Sequence, residues 1–290
     1  MKRKLVKQGA ATLMVSIPAK WAKQHGLDKG SEVEVEEQAN NLNISAKNKQ
    51  ENNKISIDVS GYTPVINRIL LSLYIRGFDQ IEVKFSDIKE IKSFQKEVIN
   101  QLIGLEIIKQ SNNIMLLKQI TSEKENIDEL TKRILSIIDG MFEELINAIK
   151  EKKDPEIVIE IDLSINKLVH FCQRVLNKQG YPNHLHETQI YMMLEQLESI
   201  GDACKNFALE IKKSQLDKKQ TEILEKIRSL FNNFQNLFDN FRKEKEIVFA
   251  KQYEEIKKEI KNKNNLDHEL QYLSKLIIEL NNYLLILKIN

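Results

Sequence analysis

Glycine and proline punctuate the early part of this chain and then nearly vanish. After Gly104 only Gly140, Pro155, Gly180, Pro182 and Gly201 remain. One residue breaks helices by its backbone freedom and the other by its missing N–H, so a stretch this poor in both folds as long helices with few places to turn. Apolar residues recur through it at helical spacing. Ile127, Leu130, Ile134, Ile138, Met141, Leu145 and Ile149 mark one helix. Asp154-Pro155 starts a second, carrying Ile165, Leu168, Cys172, Val175 and Leu176. After a turn at Gly180 and Pro182, a third carries Leu194, Leu197, Ile200, Cys204, Phe207 and Ile211. Three more are expected at about 215–245, 247–263 and 266–288. Helices of this length joined by short turns fold back as antiparallel bundles, here as two groups of three.

The part before the helices divides in two. Residues 1–50 read as strand, short helix and hairpin. LMVSI (13–17) alternates as a strand, Pro18 suits a first helical position, and Gly26 a helix end. VEVEE (33–37) and LNIS (42–45) alternate about a polar QANN turn, which predicts a hairpin. Residues 51–121 read βαβαββ. KISIDV and QIEVKF are strands, and Thr63-Pro64 caps and opens a helix with Ile66, Ile69, Leu70 and Leu73. Ser86 is placed to cap a second helix with Ile88, Ile91, Phe94, Val98 and Leu102 inward. LEIIKQ and IMLLKQ close the domain about Ser111-Asn112-Asn113. No chemistry is visible in this α+β region, which reads as a spacer or dimerisation module. The remaining domain, 122–290, is the helical one.

A net charge of +2 says little about partners, but its distribution is informative. Residues 1–30 hold Lys2, Arg3, Lys4, Lys7, Lys20, Lys23 and Lys29 against Asp28 alone, a local excess that draws polyanions. The two cysteines, Cys172 and Cys204, lie far apart on apolar helical faces and read as reduced core residues. No run of 18 apolar residues is present and the N-terminus has no apolar signal segment, so a soluble cytoplasmic protein is expected.

One acidic stripe stands out. Glu195, Glu198, Asp202 and Asn206 are spaced three, four and four apart, beside the apolar Leu194, Leu197, Gly201 and Cys204 face. The preceding helix offers Asp162 and Asn166, again four apart. Two antiparallel helices could oppose these oxygens, a donor set suited to hard cations or ferric iron. The same spacing also suits a plain solvated face. His184 and His186 sit in the turn before this helix, and His170 faces the core. There is no P-loop, nucleophile elbow, His-Glu-x-x-His or Glu-x-x-His, so no enzyme is expected.

Two segments resemble known families. Gly9, Val15-Ser16-Ile17, Pro18, Gly26-Leu27, Lys29-Gly30 and Val33-x-Val35 form an ordered set similar to the AbrB/MazE/SpoVT family of swapped-hairpin DNA-binding domains. The resemblance implies an interleaved homodimer exposing Arg3, Lys4, Lys7, Lys20 and Lys23 to DNA. Family members often carry arginines where this chain has Met14, Ala22 and Lys23. MLEQLESIGDACKNFALEI resembles the signature helix of PhoU proteins through Leu197, Glu198, Ile200, Gly201, Asp202, Asn206 and Ala208, with Ser199 in place of an arginine. EIDLSINKL is similar to a second PhoU segment through Asp162, Ile165 and Asn166. The combination resembles archaeal phosphate uptake regulators. It implies a cytoplasmic DNA-binding regulator of phosphate uptake whose PhoU-like bundle holds a metal, often iron, on Glu198, Asp202, Asp162 and Asn166, with Glu195 beside them. The last helix, with IIELNNYLL, lacks a second Glu-x-x-x-Asp. Two other readings stay open: an adaptor docking on a phosphate-transporter ATPase or signalling partner without binding DNA, and a metal-dependent oxidase or metal store on the bundle.

Overall fold

The computed structural model describes residues 2–9, 11–38, 41–46, 53–122, 125–213, 216–261 and 263–289. The chain forms two compact units, Met1–Glu51 and Asn52–Asn290. In the first, β1 (Val6–Gln8) pairs antiparallel with β2 (Thr12–Met14), and Val6 faces Met14 in register. The strand expected over 13–17 is thus shorter and begins a residue earlier. Helix α1 (Ala19–Gln24) starts after Pro18, which is its N-cap rather than its first turn. Gly26 follows the cap at φ +61°, a left-handed conformation open to glycine, while the Leu27 N–H closes back on the Ala22 carbonyl at 2.9 Å. β3 (Val33–Gln38) and β4 (Asn41–Ala46) form the hairpin, with Val35 opposite Ile44. Ala39 and Asn40 of its expected turn, and the expected boundary at 50–51, lie outside the described residues.

None of the described side chains in this first unit is buried. Leu5, Val6, Leu13, Met14, Val15, Val35 and Leu42 are all exposed, Leu5 at 64%. Apolar strands without a core are stable only when something else covers them.

The second unit opens with an α/β lobe. Its sheet runs β5-β6-β8-β7, from β5 (Lys54–Asp58), β6 (Gln80–Lys84), β7 (Leu105–Gln110) and β8 (Ile114–Gln119). β5 and β6 are parallel, so a helical crossover, α2 (Ile66–Ile75), must join them. The other pairings are antiparallel. Ile81, Val83, Met115 and Leu117 alternate inward and meet Ile66, Leu70, Leu73 and Tyr74 of α2 in one core. Helix α2 begins at Ile66 with Val65 as cap, so Thr63-Pro64 precedes the helix instead of opening it. Asp87, not Ser86, caps α3 (Ile88–Ser93), through a capping box with Glu90. That register turns Ile88 outward, and Ile91, Phe94, Ile99 and Leu102 take the core. The chain continues past α3 through a wide turn at Phe94–Val98 and a tight one at Ile99–Gln101.

Six long helices follow among the described residues: α4 (Ile127–Glu151), α5 (Glu156–Gln179), α6 (Glu187–Ile211), α7 (Lys218–Asp239), α8 (Lys243–Glu259) and α9 (Asn265–Lys288). The break between α7 and α8 falls earlier than the periodicity implied, and residue 215, the expected start of α7, lies outside the described residues. α4, α5 and α6 pack in chain order, as do α7, α8 and α9, and contacts of α6 with α9 and α4 with α7 join the two sets. One hydrophobic cluster runs through all six. No helix among the described residues is long and apolar enough to cross a membrane.

The lobe and the bundle meet at Arg174 of α5, which is fully buried. Its guanidinium donates to the carbonyls of Tyr74 at 2.7 Å and Phe78 at 2.9 Å, and to the Asp79 carboxylate at 2.8 Å. Asn177 donates to the Ile75 carbonyl at 2.9 Å, and Lys178 reaches Asp79 at 2.5 Å. These bonds give the Ile75 and Phe78 carbonyls side-chain donors, add a second donor to Tyr74, whose carbonyl also accepts from the Gly77 N–H at 2.9 Å, and place cations at the negative pole of α2. Gly77 is required here: a Cβ on it would lie 2.4 Å from Lys178 Cγ. Arg174→Ala removes the buried donor from the Phe78 carbonyl and one of the two cations on Asp79. It is expected to lower the unfolding free energy of the second unit by about 3–5 kcal/mol, read from urea denaturation.

Candidate functional site

α5 and α6 run antiparallel, and their shared seam is lined by polar side chains in pairs. Going up α5 and down α6, Asp162 meets Lys205, His170 meets Glu198, and Gln173 meets Glu195. The close approach rests on Gly201. A Cβ there would lie 3.1 Å from Ile165 Cδ1 and 3.4 Å from Asp162 Oδ1, so even alanine would need the Ile165 side chain to give by a few tenths of an ångström.

Asp162 is only 1% exposed. Its Oδ2 accepts from Lys205 Nζ at 2.7 Å, and the same ammonium also bonds Asp202 Oδ1. Its other oxygen, Oδ1, has no hydrogen-bond partner, and neither has the buried Oδ1 of Asn166. Glu198 Oε1 lies 3.9 Å from His170 Nε2. Glu195 accepts from the buried amide of Gln173. Of the expected donors, Asp162, Glu195, Glu198 and Asp202 take part in these pairs, and Asn166 lies one turn of α5 beyond Asp162. Asn206 does not join them and is exposed. His184 and His186 form a short turn in which the His186 ring lies 3.3 Å from the Asn183 amide.

The seam carries excess negative charge. Burial, reinforced by Glu195, Asp202 and Asp162, lifts the Glu198 carboxyl to about 7. Burial raises Asp162 as well, against the pull of Lys205. Burial alone would depress Lys205, but Asp162 and Asp202 hold its ammonium above the usual lysine range. Burial drops His170 to about 4, so it is a neutral ring. Among the described residues no three His, Cys, Asp or Glu side chains converge as a metal-ligand set. Sequence reasoning passed over Lys205, although it follows Asp202 by three positions and so shares its helix face.

The basic set lies in the first unit. Arg3 and Lys4 are exposed just before β1, Lys7 is exposed on β1, and Lys20 and Lys23 are exposed three apart on α1. Lys20 and Lys23 therefore share one side of the helix.

Residues 6–51 match the family model described as antidote-toxin recognition MazE, bacterial antitoxin. The segment is a MazE/AbrB-like domain, a type compatible with DNA binding and dimerisation. No curated protein and no solved structure matches the chain.

Glu198 gives the second unit a pH signature. Its folded pKa stands above the ordinary carboxylate value, so its stabilising contribution is complete below about 4.5 and is lost as pH rises through about 7. His170 acts in the opposite sense, losing stability as pH falls from 6.5 toward 4. Glu198→Gln removes only the first effect. In chelator-treated protein the variant is expected to match wild type at pH 5 and exceed it at pH 8 by on the order of 2 kcal/mol, read from unfolding curves across that range.

Proposed function

We propose that this chain is a DNA-binding regulator of phosphate uptake, in which paired N-terminal domains hold duplex DNA and the helical bundle relays phosphate status. One observation carries the DNA half. The segment matching the MazE model exposes Lys7, Lys20 and Lys23, with Arg3 and Lys4 exposed just before it, and buries none of its own described residues. A second copy covering Leu5, Val6, Leu13 and Val35 would supply the missing core, as in an interleaved homodimer, and would double the basic surface. Cations displayed on such a platform bind phosphates first, and base edges only where the platform fits the groove.

The phosphate half rests on the resemblance of α6 to the PhoU signature and on the facing of α5 and α6. The unpartnered oxygens of Asp162 and Asn166 and the surplus of carboxylates favour a cation, but as the helices stand no three of the described His, Cys, Asp or Glu side chains converge on one point. A hard cation bound there would be held by Asp162, Asn166, Glu198 and Asp202, with Glu195 adding negative charge nearby, and would supply the positive charge needed to gather them. The chain's own residues meanwhile fix the geometry: Gly201 sets the spacing, and His170 keeps Glu198 beside a neutral, water-poor wall.

An adaptor reading, in which the first unit only dimerises, draws support from Met14 and Ala22, which are apolar where the AbrB/MazE/SpoVT family it resembles often carries arginine. The two readings part on one measurement. Full-length protein should bind duplex DNA with an affinity that falls as salt rises, because counterions are released from the phosphates. Replacing Arg3, Lys4 and Lys7 together by alanine should flatten that salt dependence by about one power of salt per lost contact while sedimentation still shows a dimer. No binding at low salt by an intact dimer would leave the adaptor.

A further inference from the structure

The α/β sheet ends in two edges, β5 and β7, and no strand among the described residues pairs with the outer side of either. The edges differ. β7 is bulged between Ile107 and Lys109, and a bulge beside a lysine turns an edge away from further pairing. β5 pairs with β6 in unbroken register from Lys54 to Asp58, and it exposes Lys54, Ser56 and Asp58. An edge with neither bulge nor proline is a template for one more strand. The N–H and C=O groups of successive strand residues point to opposite sides. Val59 donates to the Lys84 carbonyl at 2.8 Å, and the Asn53 carbonyl accepts from Gln80 at 3.3 Å, so the odd-numbered residues serve β6. Lys54, Ser56 and Asp58 therefore turn both main-chain groups outward. Asp58 keeps its charge, since hydrogen bonds from the Ser60 hydroxyl and N–H hold its carboxyl below the usual range.

Turned end for end, the sequence Lys54-Ile55-Ser56-Ile57-Asp58 complements itself. About a two-fold axis at Ser56, Lys54 faces Asp58 of a second copy, Asp58 faces its Lys54, and Ile55 faces Ile57. The three residues with outward main-chain groups then form the hydrogen-bonded pairs, and the half-buried isoleucines form the closer pairs between them. A lysine on an edge ordinarily repels another strand; here an opposite charge lies directly across from it. A parallel pairing in register would set lysine on lysine and aspartate on aspartate. A shift of two residues breaks both charge pairs, and a shift of one brings up main-chain groups already spent on β6. We propose that β5 is a self-complementary docking edge through which two copies of this chain join their α/β sheets, antiparallel, into one eight-stranded sheet, four strands from each. The pairing uses no residue of the basic N-terminal set or of the α5–α6 seam, so it stands apart from the function proposed above.

Disulfide trapping in the full chain tests the pairing. Both native cysteines are buried, so Ser56→Cys supplies the one exposed thiol. Residues facing each other in a hydrogen-bonded pair lie about 5.5 Å apart at Cα, within reach of a disulfide. Under mild oxidation Ser56→Cys should link two chains at position 56, read from non-reducing gels and mass spectrometry, whereas Lys109→Cys on the bulged edge should not. In the Ser56→Cys background, either Lys54→Asp or Asp58→Lys places like charges opposite each other and should slow linking on the order of tenfold. The two reversals together restore opposite charges and should restore the rate. Lys54→Asp leaves the Ser60 bonds to Asp58 intact, so it separates charge pairing from any disturbance of that turn. The proposal is overturned if Ser56→Cys links no faster than Lys109→Cys, if neither single reversal slows it, or if the double reversal stays as slow as the singles. Each of these results leaves DNA binding and the N-terminal dimer untouched.

Discussion

A guanidinium removed from water is costly unless nearly all its N–H groups find oxygens. Arg174 meets that requirement by drawing on the end of another helix: two carbonyls at the close of α2 and the carboxylate of Asp79. Because the fit is so demanding, it leaves α5 little freedom to rotate about its axis. Asp162, Asn166, His170, Arg174 and Lys178 follow one another at intervals of four, so they form a single slowly turning stripe along α5. One end of the stripe faces α6 and the other faces the α/β lobe. Fixing Arg174 therefore also fixes where Asp162 and His170 point. The junction and the acidic seam are two ends of one rigid rod.

Much of this organisation was legible from residue spacing. The scarcity of glycine and proline after Gly104 marked the helical region, and the 3.6-residue recurrence of apolar side chains set its helices apart. Helix starts were harder. Thr63-Pro64 carries a strong start signal, yet α2 begins at Ile66. Ser86 and Asp87 compete for one cap, and the position of Glu90 three residues after Asp87 decides for the aspartate. The missed core residue, Ile99, follows from that register and from the wide turn after α3, which no local pattern announces.

The seam was half legible. Four-residue spacing put Asp162 with Asn166 and Glu198 with Asp202, and opposing helices brought the pairs together. Spacing within one helix says nothing about which charges on the facing helix reach across. Lysines crowd the helical surfaces of this chain, and only the packing of α5 on α6 distinguishes Lys205 from the rest. Gly201 could have been read as the site of closest approach, since glycine in a helix interior is unfavourable by roughly 1 kcal/mol unless packing needs it.

The first unit has a different thermodynamic character from the second. In the interleaved dimer proposed above, the first unit, none of whose described side chains is buried, draws its core from a second copy, and its free energy of folding then contains a term in protein concentration. The second unit has two large cores of its own. On that proposal dilution acts first on the N-terminal end of the polypeptide, and the abundance of the protein itself becomes an input to the assembly of its DNA-binding surface.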